Sequence, residues 1–386
     1  KGNPSLIETI GEEIDSQFIQ DLTTLSLSQE AIKRHHDMKI VYTPIHGTGV
    51  KLIPRALAAF GFTNIIHVPE QDVVSGDFPT VKSPNPEEPA ALAMAVAKAK
   101  ETDAELVLAS DPDADRVGAA VKNNEGEWVL LNGNQTALMF VYYLIRRWKE
   151  LGKIQGKEYI VKTIVTTETI RTIAEANGVG YYDVYTGFKW IANVMRQNEG
   201  KLKYIGGGEE SYGFLCEDFV RDKDAVSACS VLAEIAAWAK DNGMTMYQLL
   251  QNIYVEYGFS KEQGISVVKK GKSGAEEIEA MMKHYRETPH TEIAGSKVSH
   301  INDFSTLKSF DLLENETISL DMPTTSNVLQ YFTEDGTKVS IRPSGTEPKI
   351  KFYIEVHSKV KGLDELEAAD KAAAAKIEEI KKSLGI

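Results

Sequence analysis

Between Lys39 and about residue 213, short apolar runs of strand length alternate with longer segments of helical period, and this alternation restricts the chain to βαβ units. KIVYTPI reads as a buried strand, GVKLIPRALAAFG as a helix with a stop glycine, and NIIHVP as the next strand. PEEPAALAMAVAKAK places acidic residues and prolines at a helix start, where unpaired amides and the dipole favour them, and AELVLAS follows as a strand. After LNGNQ the pattern restarts. TALMFVYYLIRRW, TTETIRTIAEANG with a capping threonine, FKWIANVMRQNEG and KDAVSACSVLAEIAAWAKDNG read as helices, and YIVKTIV, YYDVYTG and KYIGGGEESYG as strands. Beyond about residue 260 the character changes. One helix, GAEEIEAMMKHYRE, precedes strands at TISLDM, NVLQYFT, TKVSIRP and KIKFYIEVH, the middle pair joined by the turn signal EDG. A closing helix puts Leu366, Ala369, Ala373, Ile377, Ile380 and Leu384 on one face. The expected fold class is α/β: two consecutive three-layer α/β domains, 1–128 and 129–260, then a smaller α+β domain, 261–386.

The chain of 386 residues is 42% hydrophobic and 26% charged, which is globular composition with length for two to four domains. The longest apolar stretch, AVSACSVLAEIAAWA, falls short of the ~20 residues that span a bilayer and carries Glu234, so no membrane association is expected. KGNPSLIETIGEEID lacks both the apolar core of a signal peptide and an initiator Met, and the chain is expected to begin inside a longer protein. Two cysteines, Cys216 and Cys229, in no ligand-like spacing, fit a reducing cytoplasm. A net charge of -13 argues against nucleic acid as a partner. An anionic substrate would need a local cationic patch.

Three loops hold the unusual residues. ASDPDADR sets Asp111, Asp113 and Asp115 on alternate positions directly after a strand, where an α/β fold binds ligands. Oxygen ligands without His or Cys suit a hard divalent ion, Mg²⁺ above all, and Arg116 adds a phosphate fork beside it. A solvated acidic turn is the plain alternative. Calcium in an EF-hand is disfavoured, because Arg116 and Lys122 stand where that loop needs Gly and Glu. In GGGEESYGF, Glu209 and Ser211 project from alternate positions after three glycines and suit sugar hydroxyls; a flexible strand end is the alternative. In RPSGTEPKIKF, Arg342, Ser344, Gly345 and Thr346 offer a guanidinium, two hydroxyls and free amides to an anion, beyond what a plain turn needs.

Taken in order, these loops resemble the α-D-phosphohexomutase superfamily, the phosphoglucomutases and phosphomannomutases, in the branch carrying GEESYG and RPSGTEPKIKFY. TPIHGTG, FPTVKSPNPEEP and TGFKW extend the resemblance over essentially the whole chain. It implies a metal-dependent hexose phosphate mutase working through a bisphosphate. Asp111, Asp113 and Asp115 would hold Mg²⁺ and Arg116 would neutralise the reacting phosphate. Glu209, Ser211, Thr186, Gly187 and Lys189 would line the sugar pocket, Lys189 joining Arg116 as a catalytic residue, and Arg342, Ser344, Gly345 and Thr346 would hold the other phosphate. The family carries its phosphoryl group on a serine in a TASHNP-like loop of a preceding domain, and no such segment occurs in these residues. VSHINDF near Ser299 and SPNPEEP at Ser83 do not match it. The chain is therefore expected to need an N-terminal domain in cis, to act on a sugar phosphate and to be incompetent alone. Two rivals are a non-catalytic sugar-phosphate binding module and a metal-dependent phosphatase with Asp111 as nucleophile.

Overall fold

The computed structural model describes residues 2–269, 271–345 and 347–386. Two compact units divide it, one ending at Leu250 and the other spanning Gln251–Ile386.

In the first unit, α1 (Glu12–Thr23) and α2 (Gln29–Arg34) precede a run of β1 (Ile40–Thr43), α3 (Gly49–Phe60), β2 (Ile65–His67), α4 (Pro89–Thr102) and β3 (Leu106–Ser110). Gly61 ends α3 at φ 119°, a left-handed cap that a glycine takes without steric cost. Two strands absent from the expected pattern follow, β4 (Val117–Lys122) and β5 (Trp128–Leu131). The sheet order is β2-β1-β3-β4-β5, with the first three strands parallel and the last two antiparallel. Strand β3 is buried throughout, which is why AELVLAS reads as a continuous apolar run.

Helix α5 (Gly133–Glu150) starts three residues ahead of TALMF. Asn132 and Gln135 form a reciprocal cap there, each side chain accepting the other's amide at 2.8 and 3.0 Å. Next come β6 (Glu158–Thr163), α6 (Thr169–Ala176), β7 (Gly180–Val184), α7 (Phe188–Asn198), β8 (Lys203–Gly208) and β9 (Phe214–Cys216). The expected threonine cap of α6 does not form. Glu168 takes the cap position without a side-chain bond to the helix amides, its carboxylate accepting from Lys162 at 2.9 Å, while Thr166 is engaged with Thr163 at 2.8 Å and the Thr167 amide donates to Asn134 at 2.9 Å. This sheet runs β7-β6-β8-β9, again parallel until its last strand. The order of β7-β6-β8-β9 repeats that of β2-β1-β3-β4, so the aspartate loop (β3 to β4) and the GEESYG loop (β8 to β9) stand at equivalent places.

Helix α8 (Ala225–Asp241) is buried on every side from Ala225 to Ala239 and packs on α3, α2, β3 and β9. A helix apolar all round belongs in a core. Its one buried acid, Glu234, accepts bonds from the Leu27 amide at 2.8 Å and from the Ser26 and Tyr143 hydroxyls, which ties the segment before α2 and helix α5 to it. Helix α9 (Met246–Tyr257) follows.

In the second unit, β10 (Phe259–Val268), α10 (Gly271–Glu287), β11 (Glu292–Ile293), β12 (Ser296–Asp303), β13 (Lys308–Asp311) and β14 (Glu316–Ser319) come first. Then follow β15 (Leu329–Thr333), β16 (Lys338–Pro343), β17 (Lys349–Ser358) and α11 (Leu366–Leu384). The antiparallel sheet runs β10-β17-β16-β15-β12-β13-β14, with β11 paired to β12. Along β17, Ile350, Phe352 and Ile354 alternate into the core, and α11 buries Leu366, Ala373, Ile377, Ile380 and Leu384. Two phenols tie these parts together: Tyr285 donates to the Leu384 carbonyl at 2.9 Å, and Tyr331 to the Tyr285 carbonyl at 2.6 Å. The structure thus has the expected class, two α/β sheets followed by an α+β domain.

Candidate active site

Asp111 is the first residue past β3, and its Oδ1 accepts the amides of Asp115 at 3.0 Å and Arg116 at 2.9 Å. Ala114 turns the chain at φ 57° and donates its amide to the Asp111 carbonyl at 3.0 Å. The loop so closed brings one oxygen each of Asp111, Asp113 and Asp115 within 4.8 Å of one another. At that separation two carboxylates repel by about 3 kcal/mol at an effective dielectric of about 20. Burial, with the charges of Asp115 and Asp113 added, pushes the Asp111 carboxyl up to about 7, against the amide donated by Arg116.

Two cations offset part of that charge. Arg116 Nε lies 3.6 Å from Asp111 Oδ2 and 3.7 Å from Asp115 Oδ1, and Lys223 Nζ lies 2.6 Å from Asp115 Oδ2. Burial would lower the Lys223 ammonium, but the hydrogen bond and charge of Asp115 outweigh it and raise its pKa. Asp115 Oδ1 is buried and has no hydrogen-bond partner among the described residues. A divalent ion fits this donor set: three carboxylates, one with a buried oxygen that nothing satisfies, and a proton held near neutrality that a cation would displace.

The loop is supported from behind by TPIHGTG. Thr48 donates its amide and hydroxyl to the Pro112 carbonyl at 2.9 and 3.1 Å, and a Cβ at Gly47 would lie 2.5 Å from Pro112 Cα. His46 is buried, with Nδ1 2.8 Å from the Val73 carbonyl and Nε2 2.8 Å from Thr80, a structural position.

The GEESYG loop sits against the aspartate loop. Arg116 and Gly213 form an antiparallel bridge, and the Val117 amide donates to the Tyr212 carbonyl at 3.0 Å. Tyr212, at φ 72°, turns this loop as Ala114 turns the other. Buried Glu209 accepts the Gly187 amide at 2.6 Å, which joins the TGFKW turn to the same place; burial raises its carboxyl against that amide and the charges of Lys223 and Arg116. Gly187 stands at φ 110° ahead of α7, and Lys189 on the first turn is exposed, its ammonium 5.2 Å from the Trp190 ring centre.

Within the second unit, the RPSGTEP loop follows β16. Ser344 donates its amide to the Lys349 carbonyl at 2.8 Å, and its Oγ accepts the Glu347 amide at 3.3 Å. Pro343, Ser344 and Gly345 border a cavity of about 960 Å³ whose far wall is α10, with Ile278, Met282 and Arg286. Arg342 lies at the end of β16, and Thr346 lies outside the described residues.

Residues 16–126 match the model of phosphoglucomutase/phosphomannomutase alpha/beta/alpha domain II, residues 132–257 that of domain III, and residues 268–372 that of the C-terminal domain. The chain belongs to the phosphoglucomutase/phosphomannomutase family. A phosphoglucomutase of Staphylococcus aureus (strain MRSA252) is 37% identical over 320 residues, which is 83% of this chain and 57% of that protein. One of Staphylococcus haemolyticus is 32% identical over 361 residues, 92% of this chain and 64% of that protein. This phosphohexomutase-family chain thus spans about three fifths of the length of the curated relatives it matches. In fold it is similar to a family protein from Burkholderia thailandensis, with a TM-score of 0.64 at 18% identity over 96% of this chain and 65% of that one. It is likewise similar to parafusin of Paramecium in its open form, with a TM-score of 0.64 at 16% identity over 97% of this chain and 63% of that one.

Of the residues singled out in the sequence, the first unit brings Asp111, Asp113, Asp115, Arg116, Glu209 and Gly187 to one place, with Ser211, Thr186 and Lys189 on the adjoining turns. Arg342, Ser344 and Gly345 belong to the second unit. Lys223 is not among the residues the sequence singles out, standing there only as the first residue of the helical segment KDAVSACSVLAEIAAWAKDNG; the helix begins instead at Ala225, capped by Asp224. The available signal was RDKDAV, a lysine held between two aspartates directly before an apolar helix. Among the described residues no helix is long and apolar enough to cross a membrane.

Proposed function

We propose that the chain is the metal-, sugar- and phosphate-binding part of a Mg²⁺-dependent phosphohexomutase, which moves a phosphoryl group between O1 and O6 of an aldohexose through a hexose bisphosphate. The Arg116–Gly213 bridge carries this reading: it sets the aspartate loop and the GEESYG loop side by side, so one sugar phosphate can touch both. Asp111, Asp113 and Asp115 would hold the ion, whose charge, when bound, neutralises the transferred phosphoryl group. Arg116 adds a second positive charge at that group. Glu209, with Oε1 fixed on the Gly187 amide, keeps Oε2 to accept a sugar hydroxyl, and Ser211 adds a hydroxyl on the same turn. Thr186, Gly187 and Lys189 are assigned to the same sugar pocket, on the resemblance of TGFKW to the family's segment and the bond of the Gly187 amide to Glu209. Arg342, Ser344, Gly345 and Thr346 are assigned the phosphate that is not reacting, on the resemblance of RPSGTEP to the family's loop. A site that binds either end of a bisphosphate by separate loops suits the reorientation such a reaction requires.

These residues contain no TASHNP-like serine, so phosphoryl carriage is assigned to a segment outside them, and the chain alone is expected to bind without turnover. Cys216 and Cys229 are buried and unbridged, which fits work in the reducing cytoplasm.

The test is a mutase assay on glucose 1-phosphate and mannose 1-phosphate, with this chain and with the same chain carrying an N-terminal phosphoserine domain of the family. Turnover is expected only with the added domain, and Asp113→Asn in that protein should lower it at least about 100-fold. Full mutase activity in the 386-residue chain, or release of inorganic phosphate by it, would refute the assignment.

A further inference from the structure

Lys223 lies on the segment between β9 and α8, and every part of it is held. Its amide donates to Asp222 Oδ1 at 2.8 Å. On its other side, Asp224 caps α8 by accepting the amides of Val226 and Ser227 at 3.2 and 2.8 Å, and the Ala225 amide donates to the Ala114 carbonyl at 3.0 Å. The stem crosses the GEESYG loop at Gly213, where a Cβ would come within 2.6 Å of Lys223 Cδ. The ammonium ends 2.6 Å from Asp115 Oδ2, and the Asp115 side chain is 23% exposed, against 73% for Asp222, whose contact with the same ammonium is 3.5 Å. Asp115 is therefore the partner that matters, since an exposed ion pair at the longer distance contributes little.

Asp115 is thus divided between two duties. Oδ2 is taken by the ammonium, while Oδ1 is buried with no hydrogen-bond partner among the described residues. We propose that Lys223 is a positioning residue that holds Asp115 as a one-oxygen ligand, presenting Oδ1 to a divalent ion and barring Oδ2, and that it thereby selects Mg²⁺ over Ca²⁺. This rests on the reading of the aspartate loop as a cation site. The selectivity follows from coordination chemistry. Mg²⁺ keeps six ligands in near-octahedral geometry and takes carboxylates through one oxygen, whereas Ca²⁺ accepts six to eight and gains from two-oxygen carboxylates. A carboxylate whose second oxygen is clamped by an ammonium serves the first ion and not the second. Arg116 does not take over this part, because its Nε stands 3.7 Å from Oδ1, beyond hydrogen-bond distance.

The experiment is a Mn²⁺ titration of the 386-residue chain by electron paramagnetic resonance, with displacement by Mg²⁺ and by Ca²⁺, on the native protein, K223M, K223R and G213A. Methionine keeps the apolar stem over Gly213 and removes the ammonium; alanine at Gly213 pushes the stem off its path and leaves the lysine in the sequence. K223M and G213A should each lower the Mg²⁺-over-Ca²⁺ preference about tenfold, as loss of an orienting partner does at other metal sites, and K223R should restore most of it. Circular dichroism melting of each variant separates this from unfolding, and G213A carries the test should K223M not fold. A native chain that binds Mn²⁺ with variants of unchanged preference overturns the role of Lys223 alone. A native chain that gives no saturable Mn²⁺ signal overturns the cation reading of the aspartate loop, and this inference with it.

Discussion

Gly133 offers a direct way to move the GEESYG loop without touching any residue assigned to binding. It is the first residue of α5, and a Cβ there would lie 1.9 Å from the Glu210 carbonyl oxygen, 2.6 Å from its carbon and 2.9 Å from the Tyr212 amide nitrogen. An ordinary carbon-to-oxygen contact is about 3.3 Å, so one side must retreat by more than about 1 Å. Helix α5 cannot: it is fixed by the Asn132–Gln135 cap and by a face buried from Thr136 to Trp148. The loop yields instead, carrying Glu209 and Ser211 with it and stretching the 3.0 Å bond from the Val117 amide to the Tyr212 carbonyl. Overpacking costs about 1 to 3 kcal/mol and a broken hydrogen bond about 1 kcal/mol more, so Gly133→Ala should destabilise the first unit by about 3 kcal/mol. In a unit of this size that lowers the melting temperature by about 6 to 12 °C. Calorimetry reads the shift, and hydrogen exchange at the Val117 amide shows where the strain goes, with faster exchange expected. Gly76→Ala serves as control, since nothing lies within 4 Å of its added carbon. If Gly133→Ala melts within about 2 °C of the native chain and Val117 exchanges at its native rate, the close approach of α5 to the loop does not hold the loop in place.

In the second unit, Lys338 and Glu355 form a buried ion pair at 3.1 Å. K338M takes the ammonium from beside a buried carboxylate and should cost about 3 to 5 kcal/mol in urea unfolding, while the double variant K338M/E355L should recover most of it; equal losses in both would contradict the pairing. Asp335 in the EDG turn tests pH dependence. Burial would raise its carboxyl, but Lys376 and the hydroxyls of Thr333 and Thr337 hold it down to about 2, below its ordinary 3.8. The stability it supplies is therefore present above pH ~4 and lost as pH falls through ~2. Asp335→Asn should cost about 1 kcal/mol at pH 7, allowing for solvent screening of a partly exposed pair, and that cost should vanish below pH ~2; a loss independent of pH would rule out the carboxylate as its source.

How far the sequence alone carried can be read from particular elements. The parallel strands β1 and β3 were legible because burial on both faces gives an almost unbroken apolar run, and β6 and β8 because a shorter apolar centre, YIV or YI, stands between helical segments. Strands β4 and β10 were not. VGAAVK is built of small residues without the β-branched signature, and FSKEQGISVV carries Gly264 and a polar face. Each is a strand because a neighbour pairs with it, β3 in one case and the full length of β17 in the other, and such pairing is invisible to a local window. The aspartate loop was legible from composition, since three alternate carboxylates after a strand have few inexpensive explanations. Lys223 was hidden for the opposite reason: between Asp222 and Asp224 a lysine already has local partners, and only the fold shows that it turns from them to Asp115.

The repeated strand order explains why this lysine has room to do so. The aspartate and GEESYG loops leave equivalent strands, each opens with a buried acid, Asp111 or Glu209, and each turns at its fourth residue through a positive φ, 57° at Ala114 and 72° at Tyr212. Counting on one residue gives Asp115 in the first loop the place that Gly213 holds in the second. A side chain at Gly213 would collide with the stem of Lys223, and the end of that stem is what Asp115 binds. One topology, used twice, thus places a carboxylate in one copy and an empty position in the other, and the cation needed by the first passes through the space left by the second. The two loops are therefore expected to respond together, a change at Gly213 registering through Lys223 at Asp115 and in the ion it selects.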